Sequence, residues 1–215
     1  ATQLAAQGYQ VIMIWPRGFL SMDDDAPPSI ELLASDVAAV LDSQGSVIPA
    51  VIIGHAFGQR VARMLATTHP ELVESLVLIA AGGGVPIPAE ISSDLILLAL
   101  GAGDQEERLA ALERVFFAPG NDATVWLDGW NVEAGLRQSA SNGASPSDVY
   151  WAGGGVVDMC VLQAADDVIA PAENSSQLLL EEFPDRVEVI TITDAGHAML
   201  PEQPEQVAAA VLGCL

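Results

Sequence analysis

The segment from Ala50 to Arg63, which reads Ala-Val-Ile-Ile-Gly-His-Ala-Phe-Gly-Gln-Arg-Val-Ala-Arg, limits what this chain can fold into more than any other stretch. Val51 to Ile53 are β-branched and apolar at consecutive positions, the pattern of a parallel strand covered on both faces, and the run stops at Gly54. From Phe57 onward Val61, Ala62, Leu65 and Ala66 recur at helical spacing. Only a few residues centred on Ala56 are left to turn the chain from strand into helix. Gly54 and Gly58 stand two positions to either side, where a Cβ is expected to collide with neighbouring backbone, and residue 56 is expected at positive φ. A unit of this kind points to an α/β fold with a doubly wound, mostly parallel sheet.

The remainder of the chain repeats the alternation. Leu4 to Gly8 reads as a helix end and Tyr9 to Trp15 as a buried strand, followed by the loop Pro16-Arg17-Gly18-Phe19-Leu20-Ser21. Ser29 is placed to cap a helix over Ile30 to Asp42. His69-Pro70 ends the helix that began at Phe57, since a residue before proline avoids the helical region. Val73 to Ala81, Asp158 to Ala165 and Val187 to Thr193 read as further strands, giving five in all, with helices over Glu173 to Phe183 and Glu205 to Leu212. Gly82-Gly83-Gly84 is expected to be a flexible exit at the sheet edge where ligands sit in open α/β sheets.

Between residues 85 and 157 the strands stop. Ile91 to Leu100, Glu106 to Phe117 and Thr124 to Gln138 read as helices. The division expected is a core of residues 1–84 and 158–215 with an inserted helical block over 85–157. That block concentrates aromatics: Phe116 and Phe117 are expected in its own small core, while Trp126 and Trp130, four apart on one helical face, are candidates for an apolar wall over the site.

Three ordered motifs carry a resemblance. Gly54-His55-Ala56-Phe57-Gly58 resembles the nucleophile elbow Gly-x-Ser-x-Gly of the α/β-hydrolase family, complete except at its centre. Asp167, in Asp166-Asp167-Val168-Ile169-Ala170-Pro171, matches the position of the family's acid, with Asp166 as the competing neighbour. His197, in Gly196-His197 ahead of Pro201-Glu202-Gln203-Pro204, matches its histidine loop. The resemblance covers nearly the whole chain and implies that residues 85–157 are a cap over the elbow. It further implies that His197 is the base, Asp167 its orienting acid, the Phe57 backbone N–H one oxyanion donor and His55 a residue lining the substrate site. It also implies that the chain starts in the helix before the family's fourth strand, so that three strands and the second oxyanion donor are unaccounted for. No cofactor and no metal are expected.

Ala56 sets the functional alternatives, because a methyl group cannot attack a carbonyl. In the first, the parent activity is hydrolysis of a carboxylic ester or related acyl bond, lost here with the serine. In the second, His197 and Asp167 act as an unaided dyad, as in lyase or cofactor-free oxygenase branches of the fold. In the third, the protein only binds a small molecule. A nucleotide-binding domain is disfavoured because no Gly-x-Gly-x-x-Gly follows a strand.

Composition narrows the partners. With 29 acidic against 7 basic residues, all of the latter arginine, the net charge is −22. Such a surface repels phosphate backbones and anionic lipid, so nucleic-acid and membrane partners are not expected, and a small apolar substrate is. Cys160 and Cys214 make no framework or metal spacing and read as small apolar fillers. Without an apolar run of about 18 residues or a signal-peptide pattern, a cytoplasmic location is expected. An uncovered sheet edge would invite a second copy of the chain.

Overall fold

Runs of apolar side chains at consecutive strand positions need cover on both sides, which the fold supplies along Leu76–Ile79 of the sheet but not at Ile53, which is 41% exposed. A computed structural model describes residues 1–17, 27–45, 48–128 and 131–215. Four strands, β1 (Ala50–His55), β2 (Val73–Ile79), β3 (Asp158–Ala164) and β4 (Val187–Ile192), form one parallel sheet in the order β1-β2-β3-β4. Along β2 the side chains alternate between two layers. Leu76 and Leu78 join a core with α2 (Ile30–Ser43), α3 (Phe57–Thr68) and α8 (Ser176–Glu182). Val77 and Ile79 join another with α1 (Thr2–Ala6) and α10 (Pro204–Gly213). Parallel strands require crossovers, and helices on both faces provide them.

Local signals account for most helix boundaries. The Ser29 hydroxyl accepts the Leu32 N–H at 3.2 Å and starts α2. Pro70 ends α3, for which His69 is the C-terminal cap. Between β2 and β3 the chain forms α4 (Ala89–Ala99), α5 (Gln105–Val115), α6 (Val132–Ala144) and α7 (Ser147–Tyr150). The single helix expected over Thr124 to Gln138 is broken: a 3₁₀ turn spans Ala123–Trp126 and α6 starts six residues later, capped by the Asn131 side chain on the Ala134 N–H. Leu98, Ala111, Leu112, Val115 and Phe117 give this block a core of its own.

Three expectations are corrected. Tyr9 to Trp15 is not a strand: Tyr9 is 45% exposed and Met13 and Trp15 each 67%, while Ile12 packs on the core. A strand needs a partner to take its backbone hydrogen bonds, and among the described residues none pairs with this segment or with the outer edge of β1. Cys160 and Cys214 are not separate fillers but a disulfide, with Cα atoms 6.0 Å apart. Val207, Val211 and Cys214 follow one another on the face of α10 turned to the sheet, which brings the last of them over β3. Disulfides persist in oxidising compartments and are rare in reducing cytosol. Gly82 to Gly84 form a packed seam rather than a flexible exit. The Gly82 carbonyl accepts from Gln59 Nε2 at 2.8 Å and Arg63 Nη2 at 2.9 Å, and a Cβ on Gly84 would lie 2.7 Å from the Trp151 ring. No described helix is long and apolar enough to cross a membrane.

Candidate active site

The carboxyl edge of the sheet is where the chain is most constrained. Three non-glycine residues have positive φ among those described, Ala56 (48°), Ala80 (53°) and Asp194 (54°), and each follows the end of a strand. Ala56 lies between the last residue of β1 and the first of α3, as expected, and its N–H donates to the Ile79 carbonyl at 2.9 Å. The turn is closed by Gly54, where a Cβ would stand 2.5 Å from the Gln59 Cα. Gly58 differs from expectation: nothing lies within 4 Å of a Cβ built there, so close approach is required at only one of the two glycines. Phe57 opens α3, which places its N–H in the first helical turn at the positive end of the dipole.

On the same edge the acid and the histidine meet. Asp167, buried in the loop after β3, places Oδ2 2.9 Å from Nδ1 of His197, in the loop after β4, while Oδ1 accepts the N–H groups of Ile169 and Ala170 at 2.9 and 2.8 Å. Asp166 is exposed and makes no such contact, so the structure pairs Asp167 with the imidazole. Burial alone would raise the Asp167 pKa, but His197 and the hydrogen bonds to both backbone amides outweigh it and hold the carboxyl below its ordinary range. An ionised carboxylate only accepts, so Nδ1 of His197 is the donor in this bond; in the neutral form of such a ring the other nitrogen, Nε2, holds the lone pair.

His55 and Phe116 border the imidazole. The His55 ring, adjacent in sequence to Ala56, lies 6.1 Å from that of His197, which draws the elbow and the histidine loop together. Its Nε2 is buried with no partner among the described residues. Burial, and after it the neighbouring His197, lowers the His55 pKa to about 4, so the ring is neutral near pH 7. Phe116, expected in the core of the inserted block, packs against that core and also lies 5.8 Å from His197 between ring centres. Trp126 stacks edge-on against Phe116 and Phe117, at 5.5 and 5.4 Å, rather than against the imidazole. Trp130 lies outside the described residues.

Side chains that sequence patterns did not single out hold these loops. Gln163 Nε2 donates to the Ala164 and Ala170 carbonyls, and Ser175 Oγ bonds Gln163 Oε1, fixing the acid loop from beneath. Arg63 is fully buried on α3, its guanidinium 4.6 Å over Trp151 and 5.4 Å from the Tyr150 ring. Burial lowers its pKa to about 9; Tyr150 opposes and Arg60 adds to that shift. It bonds the Trp151 and Gly82 carbonyls and lies over two rings, partners that a helical sequence pattern does not signal. Among the described residues no group of three or more His, Cys, Asp or Glu is placed to hold a metal ion.

A family model described as the alpha/beta hydrolase family matches residues 2–210. The chain belongs to that family. With the α/β-hydrolase identity fixed, the order elbow, acid, histidine along the chain is the one that the fold uses. Two curated relatives from Mycobacterium tuberculosis are similar. BpoC, named as a non-heme bromoperoxidase, is 24% identical over 220 residues, covering 96% of this chain and 83% of that protein. Lipase LipV is 46% identical over 54 residues, 25% of this chain and 20% of that protein. The crystal structure of BpoC superposes with a TM-score of 0.78 at 21% identity, over 99% of this chain and 83% of that one. A bromoperoxidase from Bacillus anthracis gives 0.76 at 16% identity, over 98% and 83%. At such identities the structural likeness speaks to the fold alone.

Proposed function

We propose that this α/β-hydrolase carries a site for cleaving a carboxylic ester or related acyl bond in a small apolar substrate, and that Ala56 leaves it without the attacking atom. The observation supporting this is the pair Asp167–His197, Nδ1 of the imidazole 2.9 Å from the carboxylate and the ring 6.1 Å from that of His55 beside the elbow. With an oxygen at position 56, Nε2 would take its proton as the oxygen attacks the acyl carbon, and the imidazolium would return it to the leaving group. Asp167 orients the ring and stabilises its charged form. The Phe57 N–H supplies one donor to the oxyanion. In this reading residues 85–157 act as the lid, with Phe116 against the base, Trp126 backing Phe116, and His55 lining the site from the elbow side.

The test is Ala56→Ser. Losing a nucleophile costs on the order of a millionfold, so restoring it should raise turnover of a short-chain aryl ester by several orders of magnitude. An unchanged rate overturns the reading. A second reading, proton abstraction by the dyad unaided, draws support from the completeness of the His197–Asp167 pair without a nucleophile and from the relatives named bromoperoxidase. There, His197→Ala should abolish whatever activity the unaltered chain shows. A site that only binds would keep its ligand affinity, measured by calorimetry, through the same substitution.

A further inference from the structure

One carboxylate, Glu202 at the end of α9 (Met199–Glu202), joins the inserted block to the histidine loop. Its Oε1 accepts the Ala118 N–H at 2.7 Å and Asn121 Nδ2 at 2.9 Å, both from the segment after α5. Its Oε2 accepts the N–H of Gly196, the residue before His197, at 2.8 Å. On the other side of the imidazole, the Ala198 N–H donates to the Phe116 carbonyl at 2.8 Å. The two segments touch so closely that a Cβ on Gly196 would lie 2.5 Å from that carbonyl oxygen. Asn121 Nδ2 and Gln203 Nε2 both donate to the Asp194 carbonyl at 2.9 Å, pinning the residue whose positive φ begins the loop. Both amides that flank His197 are therefore tied, one by Glu202 and one by the inserted block itself.

We infer that Glu202 is a positioning residue for His197, fastening the histidine loop to residues 116–121 so that Nδ1 stays on Asp167 and the Phe116 ring stays against the imidazole. This rests on the reading of His197 as the base. Burial raises the Glu202 pKa; the three hydrogen bonds oppose that shift and Asp166 adds to it. The geometry carries the assignment: one carboxylate bonds both segments at once. A tie that served only to hold the last helices in place would not need to bond the amide next to the base.

The test reads the imidazole directly. The chain has three histidines, so ¹⁵N-labelled protein gives few ring signals, and the Nδ1–H of His197 is identified by its loss in His197→Ala. In Glu202→Ala that proton should exchange with water on the order of tenfold faster, because the loop that holds it opens more often. Asn121→Ala should move it in the same direction by less. Glu202→Gln, which keeps an acceptor oxygen, should fall between Glu202→Ala and the unaltered chain. If Glu202→Ala does not fold, the last two carry the test. A lower melting temperature with unchanged Nδ1–H exchange in every folded variant overturns the inference. In the Ala56→Ser background, Glu202→Ala should lower kcat by about 100-fold with KM nearly unchanged, the cost of a base displaced by about an ångström. If Ala56→Ser gains no esterase activity, the acyl-transfer reading fails while the exchange measurement still decides the role of Glu202.

Discussion

At the elbow, position is enforced by closeness; at the acid and histidine loops, it is enforced by hydrogen bonds. Ala56 holds its φ of 48° because Gly54 lets the backbone of α3 come within a distance that no Cβ would tolerate. Asp167 and His197 hold theirs through a chain of donors that runs from Ile169 and Ala170 through the imidazole, with Glu202 and Phe116 on the flanking amides. The first half presents only a methyl group at its centre. The second holds a carboxylate whose pKa stays below its ordinary range against burial. Neither half draws its geometry from the side chain of residue 56.

The largest expected effect strikes the hydrogen-bonded half. In the Ala56→Ser background, Asp167→Asn should cut kcat by about 10⁴-fold, since an amide in place of the carboxylate favours the wrong imidazole tautomer. Steady-state ester hydrolysis measures it, and a loss under tenfold would mean that the pair is ornamental to the chemistry.

Next comes the pH dependence of stability, which separates the halves by window. His55 belongs to the elbow and its folded pKa is depressed, from about 6.5 to about 4. The unfolded chain therefore takes up protons first on acidification. The stabilisation is fully present above pH 6.5 and is lost as pH falls toward 4, by up to about 3 kcal/mol. Asp167 is also depressed, but from the carboxylate range, so its contribution is lost only at lower pH. Urea unfolding from pH 7.5 to 3 should show both slopes. His55→Gln should flatten the first and leave the second, and Asp167→Asn should do the reverse. Loss of neither slope would contradict the assignments.

The smallest effects lie within the elbow. Gly54→Ala should destabilise by about 2 kcal/mol through forced overpacking. Gly58→Ala, with open space beside it, should be neutral or stabilise by up to about 1 kcal/mol through helix propensity. Equal losses at both positions in thermal unfolding would mean that both glycines are needed for closeness.

How much of this was legible follows the range of the forces. The elbow, the Ser29 cap and the end of α3 at Pro70 come from local patterns, and the structure has them where those patterns put them, whereas Asp167 and His197 stand out only through resemblance to the family's motifs and are found paired. Tyr9 to Trp15 misled because its composition suits a strand, while a strand exists only with a neighbour to bond. The disulfide joins residues 54 apart in sequence, a separation that carries no motif. Phe116, Glu202, Arg63 and Gln163 matter through partners brought together only by folding. Glu202 was visible merely as part of a Pro-Glu-x-Pro turn, and nothing in that turn says that its carboxylate reaches Gly196 and Ala118.

The central claim is that the His197 imidazole, supported by Asp167, faces the side chain of residue 56. Ala56→Cys tests it without assuming any substrate, since Cys160 and Cys214 are bonded to each other and the introduced thiol is the sole free one. Beside the imidazole the thiol should ionise well below the ordinary value of about 8.5, seen as early thiolate absorbance and rapid alkylation, and His197→Ala should raise its pKa although the start of α3 still favours the thiolate. A thiol whose titration is unchanged by His197→Ala would show that the two groups do not meet.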